Sequence, residues 1–519
     1  GGNGAALVEA PLVALGWKRT TDKEDEKYKL KWTESKGSIN YITFREGEQL
    51  VNHIPNCKIL TNKLGLLCSL QEYERITLLT KARLPRLKMT DFIPETYKLD
   101  ERVDREKFLK EYQDGETWIC KPVGMNQGKG IILLRSRSEI NQLLNEREAK
   151  FNASTTSRLP MTRIVQRYIS NPLLLEGRKF DIRSYMLIAS TVPFLVLHHQ
   201  GYVRLSCQKY NQEDRNLTIH LTNQYIQKKD PSYQDTKEDT VWTMDKLNNY
   251  INEHVAAEKG LAGDWVYKIL TKQMQKIALH CFNSARHKLH CKMGYFDLYG
   301  MDFMVDSNMK VWLLEINTNP ALQTHCQALK EAIPCVVENA LYLAIECFGK
   351  SRKGQPLMPL NSLAGYTVLY CGSSPKTAVV RQSRSVSPLK DTTEWNRQSA
   401  TARTSRLYSP PRTLPRTSNP HAGNSLSIPA GAVSWAHGKN NEKQSTTTSY
   451  LPTINIVMNI GTETATNSKQ RQQVQQSVES YHQLQHPLTA RTTAETSPSE
   501  KDINKFRLTN SGLSFHKSI

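Results

Sequence analysis

Three side chains in one short stretch carry enough oxygen chemistry to hold a cation: Asp302, Glu315 and Asn317. They belong to Gly300-Met-Asp-Phe-Met-Val-Asp-Ser-Asn-Met-Lys-Val-Trp-Leu-Leu-Glu-Ile-Asn-Thr-Asn-Pro, in which two apolar runs flank the turn signal Asp306-Ser307-Asn308. A hairpin folded about Asn308 brings Asp302 roughly opposite Glu315, at the ~5 Å Cβ separation of directly paired residues. Glu315 and Asn317 share a face because side chains alternate along a strand. Unpaired carboxylates that close repel, and one tends to hold its proton. An all-oxygen set with few protein ligands suits Mg2+ held together with substrate phosphates. The bland alternative is a pair of surface acids on an amphipathic hairpin; the strongly apolar flanks stand against it.

Two further stretches offer partners for phosphate. Lys179-Phe-Asp-Ile-Arg-Ser-Tyr-Met alternates strictly, so Lys179, Asp181, Arg183 and Tyr185 share one face while Phe180, Ile182 and Met186 take the other. Such a strand is either an exposed edge or the lining of a site where Lys and Arg neutralise phosphate oxygens. Lys121-Pro-Val-Gly-Met-Asn-Gln-Gly-Lys-Gly places Gly124, Gly128 and Gly130 between two strand-like runs. Glycines there let the backbone turn tightly and approach phosphates closely. No Gly-Lys-Ser/Thr follows, so this is a flap over a polyphosphate and not a Walker A loop. Arg163-Ile-Val-Gln-Arg-Tyr-Ile reads as an apolar strand, either ordinary core or an edge offering backbone groups to a base.

The elements that must position these residues are mixed. Strands are expected at Trp118–Pro122, Ile131–Arg135, Arg163–Ile169, Phe180–Ser190, Phe194–Leu197, Gly300–Val305 and Lys310–Ile316, and helices near 137–148, 241–258, 264–289 and 325–349. Their irregular alternation argues for an α+β class. Composition changes near residue 350, and 365–519 is rich in Ser, Thr, Pro, Arg, Gln and Asn. That stretch buries too little apolar surface to offset ordering entropy and is expected to be mostly disordered. The chain from about Ser351 onward supplies roughly +12 of the formal net charge of +20. An anionic partner follows, though charge alone does not choose among nucleic acid, acidic protein and anionic lipid.

Other classes are less well served. Ten cysteines occur singly without a C-x-x-C pair, which suits a reducing compartment. No uninterrupted apolar run approaches ~20 residues, so no membrane span is expected. The chain begins Gly-Gly-Asn-Gly without an initiator Met, as an incomplete or processed polypeptide would, and shows no leader segment. Cys281, His287, His290 and Cys291 lie close in sequence, but their spacing fits no familiar zinc site. Basic residues are not interleaved with aromatics on a strand platform, so nucleic acid is not expected.

In order along the chain, Lys121-Pro with its glycine flap, Gln166-Arg-Tyr-Ile, Lys179-Phe-Asp-Ile-Arg, His220-Leu-Thr-Asn, Asp302 and Glu315-Ile-Asn resemble the tubulin tyrosine ligase-like family over roughly residues 1–360. The resemblance implies an ATP-grasp fold with antiparallel-rich sheets: an N-terminal domain over 1–100, catalytic domains over 101–360, and a basic tail over 361–519. It implies ATP and Mg2+ as cofactors. Lys63, Lys121 and Lys179 would contact phosphates, with Gln127 and Gly128 in the flap. Gln166, Arg167, Tyr168 and Ile169 would hold adenine, and Phe180, Asp181, Thr222 and Asn223 would complete the nucleotide site. Arg183 would act on phosphate or an acyl phosphate with Lys179 and Glu315, and Arg204 would grip the carboxylate of the incoming amino acid. Asp302, Glu315 and Asn317 would bind the metal ion.

The stretches Arg204-Leu-Ser-Cys-Gln-Lys-Tyr and His220-Leu-Thr-Asn-Gln-Tyr-Ile-Gln-Lys-Lys are most similar to the glycylase branch. That branch implies glycine ligation to acidic protein tails, tubulin among them, in the cytoplasm and cytoskeleton and in cilia or flagella. Glutamylation is the runner-up, and a catalytically silent microtubule-binding protein is the alternative of a different class.

Overall fold

The computed structural model describes residues 3–22, 24–80, 87–152, 162–373 and 456–460. Three sheets organise them. The first contains β1 (Trp17–Thr20), β2 (Leu30–Trp32) and β3 (Leu50–Val51), with β2 and β3 parallel. The second is antiparallel and contains β4 (Thr96–Lys98), β5 (Trp118–Pro122), β6 (Ile132–Leu134) and β7 (Arg163–Arg167) in the order β4-β7-β5-β6. The third and largest contains β8 (Leu174–Leu175), β9 (Arg178–Thr191), β10 (Phe194–Lys209), β11 (Val241–Trp242), β12 (Asp297–Val305), β13 (Val311–Asn317) and β14 (Thr367–Cys371). Its main path runs β11-β10-β9-β12-β13. A last strand, β15 (Ile456–Ile460), pairs antiparallel with both β1 and β2 and completes the first sheet.

Alternation along β9 explains why this sheet holds both a core and a site. Phe180, Ile182, Met186 and Ile188 point into one apolar core with Val203, Met301 and Phe303. On the other face Tyr185, Leu187 and Ala189 meet the long helix Gln327–Arg352 through Ile333, Val337 and Leu341. Lys179, Asp181 and Arg183 lie on that second face beyond the helix's cover, so charged residues end where the apolar blanket ends.

Several expectations are corrected. β10 extends twelve residues past Leu197 because Gly201 (φ +77°) forms a bulge between the pairs His199–Tyr185 and Tyr202–Arg183. A Cβ at Gly201 would lie 1.8 Å from the Arg183 carbonyl oxygen, so only glycine fits. Val241 and Trp242 are strand and not helix; the following helix, Met244–His254, starts where the Thr243 hydroxyl accepts from the Lys246 N–H at 3.2 Å. β4, which lies within the stretch 1–100 expected as an N-terminal domain, pairs with β7 of the second sheet. Helix Gln327–Arg352 is long and apolar enough to cross a membrane by length and composition alone, although Lys330, Glu331, Glu338 and Glu346 interrupt its apolar run. Its apolar face is buried against β9 and β10, as a core helix requires. Two strands, β14 and β15, occur within the stretch expected to lack order, because each is a five-residue run able to pair at a sheet. The remainder of that expectation, from 374 to 455 and from 461 to 519, lies outside the described residues.

Candidate active site

The metal hairpin forms as the turn chemistry dictates. The Asp306 carboxylate accepts from the backbone N–H of Asn308 (2.9 Å) and Lys310 (3.0 Å), and Met309 takes the left-handed conformation. Simple folding about Asn308 would set Asp302 against Leu314. A bulge instead makes Glu315 the partner of Asp302 and Leu313 the partner of Phe303. Leu314 is therefore the extra residue, and both Leu314 and Glu315 reach the same cleft.

That cleft, open to solvent on one side, lies between the second and third sheets. Lys121, Gln166, Arg167, Tyr168 and Ile169 line it from one side, and Lys179, Asp181, Asp302 and Glu315 from the other. Lys63, Gly128, Thr222 and Asn223 complete it, so thirteen of the eighteen expected site residues are brought together there. Gln127 (φ +64°) and Gly128 (φ +73°) shape the flap turn between β5 and β6, but Gln127 is not in the lining. Phe180 does not belong either: it is 1% exposed and points into the core, as alternation requires. Arg167 pairs its guanidinium with Glu95 and Glu116.

Two lysines in the cleft are buried without a carboxylate in contact. Lys121 Nζ donates to Gln166 Oε1 at 2.7 Å, and Lys179 Nζ donates to the Tyr168 hydroxyl at 2.6 Å. Burial lowers Lys121 to about 8. Burial, reinforced by the Lys121 charge, lowers Lys179 to about 7. An incoming polyanion would restore both charges, which makes this pair an anion site. Lys63, at the first turn of helix Lys63–Leu79, reaches Glu315 at 3.1 Å.

The carboxylates sit in a different field. Arg183 grips Asp302 through Nε (2.5 Å) and Nη2 (3.1 Å), and Arg204 Nη2 lies 3.0 Å from the same carboxylate. Burial pushes Asp302 up, but the two guanidiniums outweigh it and hold Asp302 down at about 2. Gly300 permits this approach, since a Cβ there would sit 3.1 Å from Arg183 Cδ. Glu315 is likewise opposed by burial and held below its ordinary range by Lys63.

Arg204, expected to grip the carboxylate of an incoming amino acid, pairs across the β9–β10 ladder with Asp181, donating through Nε at 2.6 Å and Nη2 at 2.5 Å. At 4% exposure it is committed to Asp181 and Asp302 and does not present a free fork to an amino acid. Thr222 also donates to Asp181, at 2.7 Å. A chain Arg183–Asp302–Arg204–Asp181–Thr222 thus forms the floor of the site.

The donor set fits Mg2+ in type. Asp302 and Glu315 supply hard oxygens, and among the described residues no group of three His, Cys, Asp or Glu side chains gathers to hold a metal ion. An ion there would take two protein carboxylates and complete its shell from phosphate and water, the usual habit of Mg2+. Asn317 presents Nδ2 to Asp302 (3.3 Å) and Glu315 (3.1 Å); ligation through its oxygen requires the amide to turn over. Cys281 of the zinc alternative packs in the apolar core.

Sequence reasoning missed His220, Lys129, Met304 and Leu314, all in the lining. Met304 was legible by alternation from Asp302; Leu314 was not, because the bulge is invisible in the pattern. His220 stood in the His220-Leu-Thr-Asn motif without a role, because its side-chain partner Tyr168 is distant in sequence.

Comparison with known proteins agrees with this geometry. A model of the tubulin-tyrosine ligase family matches residues 42–353. The chain is 48% identical over 384 residues to the Rattus norvegicus protein named protein polyglycylase TTLL10, covering 72% of this chain and 56% of that one. It is 43% identical over 408 residues to the Homo sapiens protein named inactive polyglycylase TTLL10, covering 72% and 61%. It is 30% identical over 354 residues to a Tetrahymena thermophila protein named probable alpha-tubulin polyglutamylase Ttll1, covering 64% and 82%. The chain thus spans little more than half the length of its rat relative. Two antiparallel-rich sheets closing on one polar cleft, with the expected motifs in that cleft, give an ATP-grasp-like fold, and the chain belongs to the tubulin-tyrosine ligase family.

Proposed function

We propose that this chain is an ATP-dependent ligase that joins glycine to glutamate-linked side chains of acidic protein tails, on tubulin or a similar acceptor, and extends glycine chains. The observation that carries the reading is the cleft in which Lys121 and Lys179, buried without a contacting carboxylate, share one space with Asp302 and Glu315. Cations suited to a polyphosphate stand beside carboxylates suited to its metal ion. The choice of glycine is supported by 48% identity to the rat protein polyglycylase. With such an acceptor the protein would act in the cytoplasm on the cytoskeleton, including the axoneme of cilia and flagella.

A carboxylate is a poor electrophile, so amide formation requires activation. ATP, when bound with Mg2+, would supply the phosphoryl group that converts the acceptor carboxylate to an acyl phosphate, with ADP leaving. Lys121 and Lys179 would neutralise phosphate oxygens, and Asp302 and Glu315 would hold the metal ion. The Gly128 flap excludes water from the activated carboxyl. The amino group of glycine attacks the acyl carbon, the C–N bond forms, and phosphate leaves with the former carboxylate oxygen. No protein nucleophile is needed; the chain's contribution is position and charge.

The human relative's name favours a second reading, a protein that keeps the fold and binds an acidic partner without transfer. The Tetrahymena relative's name supplies a glutamate-adding alternative. Incubation with ATP, Mg2+ and labelled glycine, glutamate or tyrosine separates these, with tubulin and a pre-glycylated acidic peptide as acceptors. Glycine incorporation on the pre-glycylated peptide is the expected result. Glutamate incorporation alone would replace glycine, and tubulin binding with no incorporation would establish the silent reading.

A further inference from the structure

Lys179 is held by a neutral chain of hydrogen bonds whose direction is fixed at both ends. A lysine ammonium can only donate, so the Tyr168 oxygen, 2.6 Å from Nζ, accepts. His220 Nε2 lies 2.7 Å from the Asp214 carbonyl oxygen, which can only accept, so in the neutral ring Nε2 carries the proton and Nδ1 is bare. The Tyr168 O–H, with Tyr210 also beside it, then has His220 Nδ1 as an acceptor at 2.7 Å. Arg135, 3.4 Å from Nε2, is itself anchored on the carbonyls of Gln212, Glu213 and Asp214 and stiffens that end.

The consequence lies at the other end. Were Nδ1 protonated, or His220 replaced by an apolar residue, the Tyr168 hydroxyl would be free to rotate and donate to a neutral lysine amine. With Nδ1 as acceptor, that rotation strands a buried acceptor. We propose that His220 is a positioning residue that, through Tyr168, holds Lys179 as a charged donor with its remaining N–H bonds directed into the cleft. The proposal rests on the reading of this cleft as a nucleotide site.

The surroundings explain why such a device is needed. The charged or titratable groups facing Lys179 are Lys121 from β5, Asp181 from its own strand, and the rings of Tyr168 (4.1 Å) and Tyr210 (5.4 Å). Those facing His220 are Tyr168, Tyr210, Arg135 and Lys179, with the Asp214 carboxylate farther off. Burial and Lys121 together favour loss of the Lys179 proton, and only Asp181 and the aromatic faces oppose it. Burial also lowers His220, which keeps its Nδ1 bare.

Calorimetric titration of the full chain with Mg2+ and ATP between pH 6.5 and 8.5 tests this. His220→Leu is expected to weaken binding about tenfold at pH 8 and much less at pH 6.5, because Lys179 deprotonates more readily once the acceptor is lost. His220→Asn, whose amide oxygen can take the place of Nδ1, restores binding to within about threefold. In a Tyr168→Phe background, His220→Leu has no further effect. A loss in His220→Leu that is equal at both pH values, or additive with Tyr168→Phe, overturns the proposal. Nitrogen-15 NMR of His220 gives a readout independent of nucleotide: the Nε2–H tautomer is expected, and Nδ1–H overturns the strut. Failure of the wild-type chain to bind ATP would instead sink the nucleotide reading.

Discussion

Glu315→Gln removes amide-bond formation almost entirely, by about three orders of magnitude or more, while the chain stays folded. The amide is nearly the shape of the carboxylate but carries no charge, and a hard divalent ion discriminates strongly between the two. A thousandfold loss corresponds to about 4 kcal/mol of transition-state stabilisation, a size consistent with losing one of two anionic metal ligands. Stability moves little, because the substitution also relieves the cost of burying a carboxylate and leaves only Lys63, 3.1 Å away, without its partner. Glu315 is the better probe than Asp302, which is tied to two arginines. Single-turnover transfer with a matched unfolding curve is the measurement. Retained transfer in a folded Glu315→Gln chain removes the metal assignment.

Arg204→Met produces the opposite pattern, a loss of stability first. Asp181 then keeps only the Thr222 hydroxyl as a side-chain donor, and Asp302 loses one of its two guanidiniums. Breaking a buried ion pair by deleting one partner costs about 3–5 kcal/mol, far more than the pair contributes when intact. Denaturant unfolding at pH 7 should show that loss. The pH dependence has a fixed sign as well. Asp302 is depressed to about 2, below its unfolded value, so its stabilisation is fully present above about pH 4 and disappears as pH falls toward 2. The Met variant should therefore lose part of the wild type's acid-unfolding slope in that window. An unchanged unfolding midpoint with a raised KM for glycine would return Arg204 to the amino-acid-binding role that the family resemblance implies.

The contrast between these two residues shows what the sequence could reveal. Asp302 and Glu315 lie on one hairpin whose turn is written in Asp306-Ser307-Asn308, so local chemistry brings them within one residue of register and the Leu314 bulge completes the pairing. The shared face of Lys179, Asp181 and Arg183 was legible for a similar reason, since alternation within a strand needs no knowledge of its neighbours. The Arg204–Asp181 pair depends on the register between β9 and β10, which the Gly201 bulge sets. A pattern of residue types does not contain that register. His220 reads as part of a motif without a role, because its function comes from Tyr168, 52 residues earlier in the chain. The pairing of β15 with β1 and β2 was equally hidden, since it joins segments from opposite ends of the chain.

Oxygen tracing tests the proposed chemistry most directly. A pre-glycylated acidic acceptor with the free carboxylate of its glycine branch enriched in 18O is incubated with the chain, ATP, Mg2+ and glycine. Transfer through an acyl phosphate sends one 18O per amide bond into inorganic phosphate. Phosphate carrying the acceptor's 18O, formed in step with glycine incorporation, is the predicted result. Label recovered in AMP, or product formed with no 18O in phosphate, would contradict activation by phosphoryl transfer in this cleft.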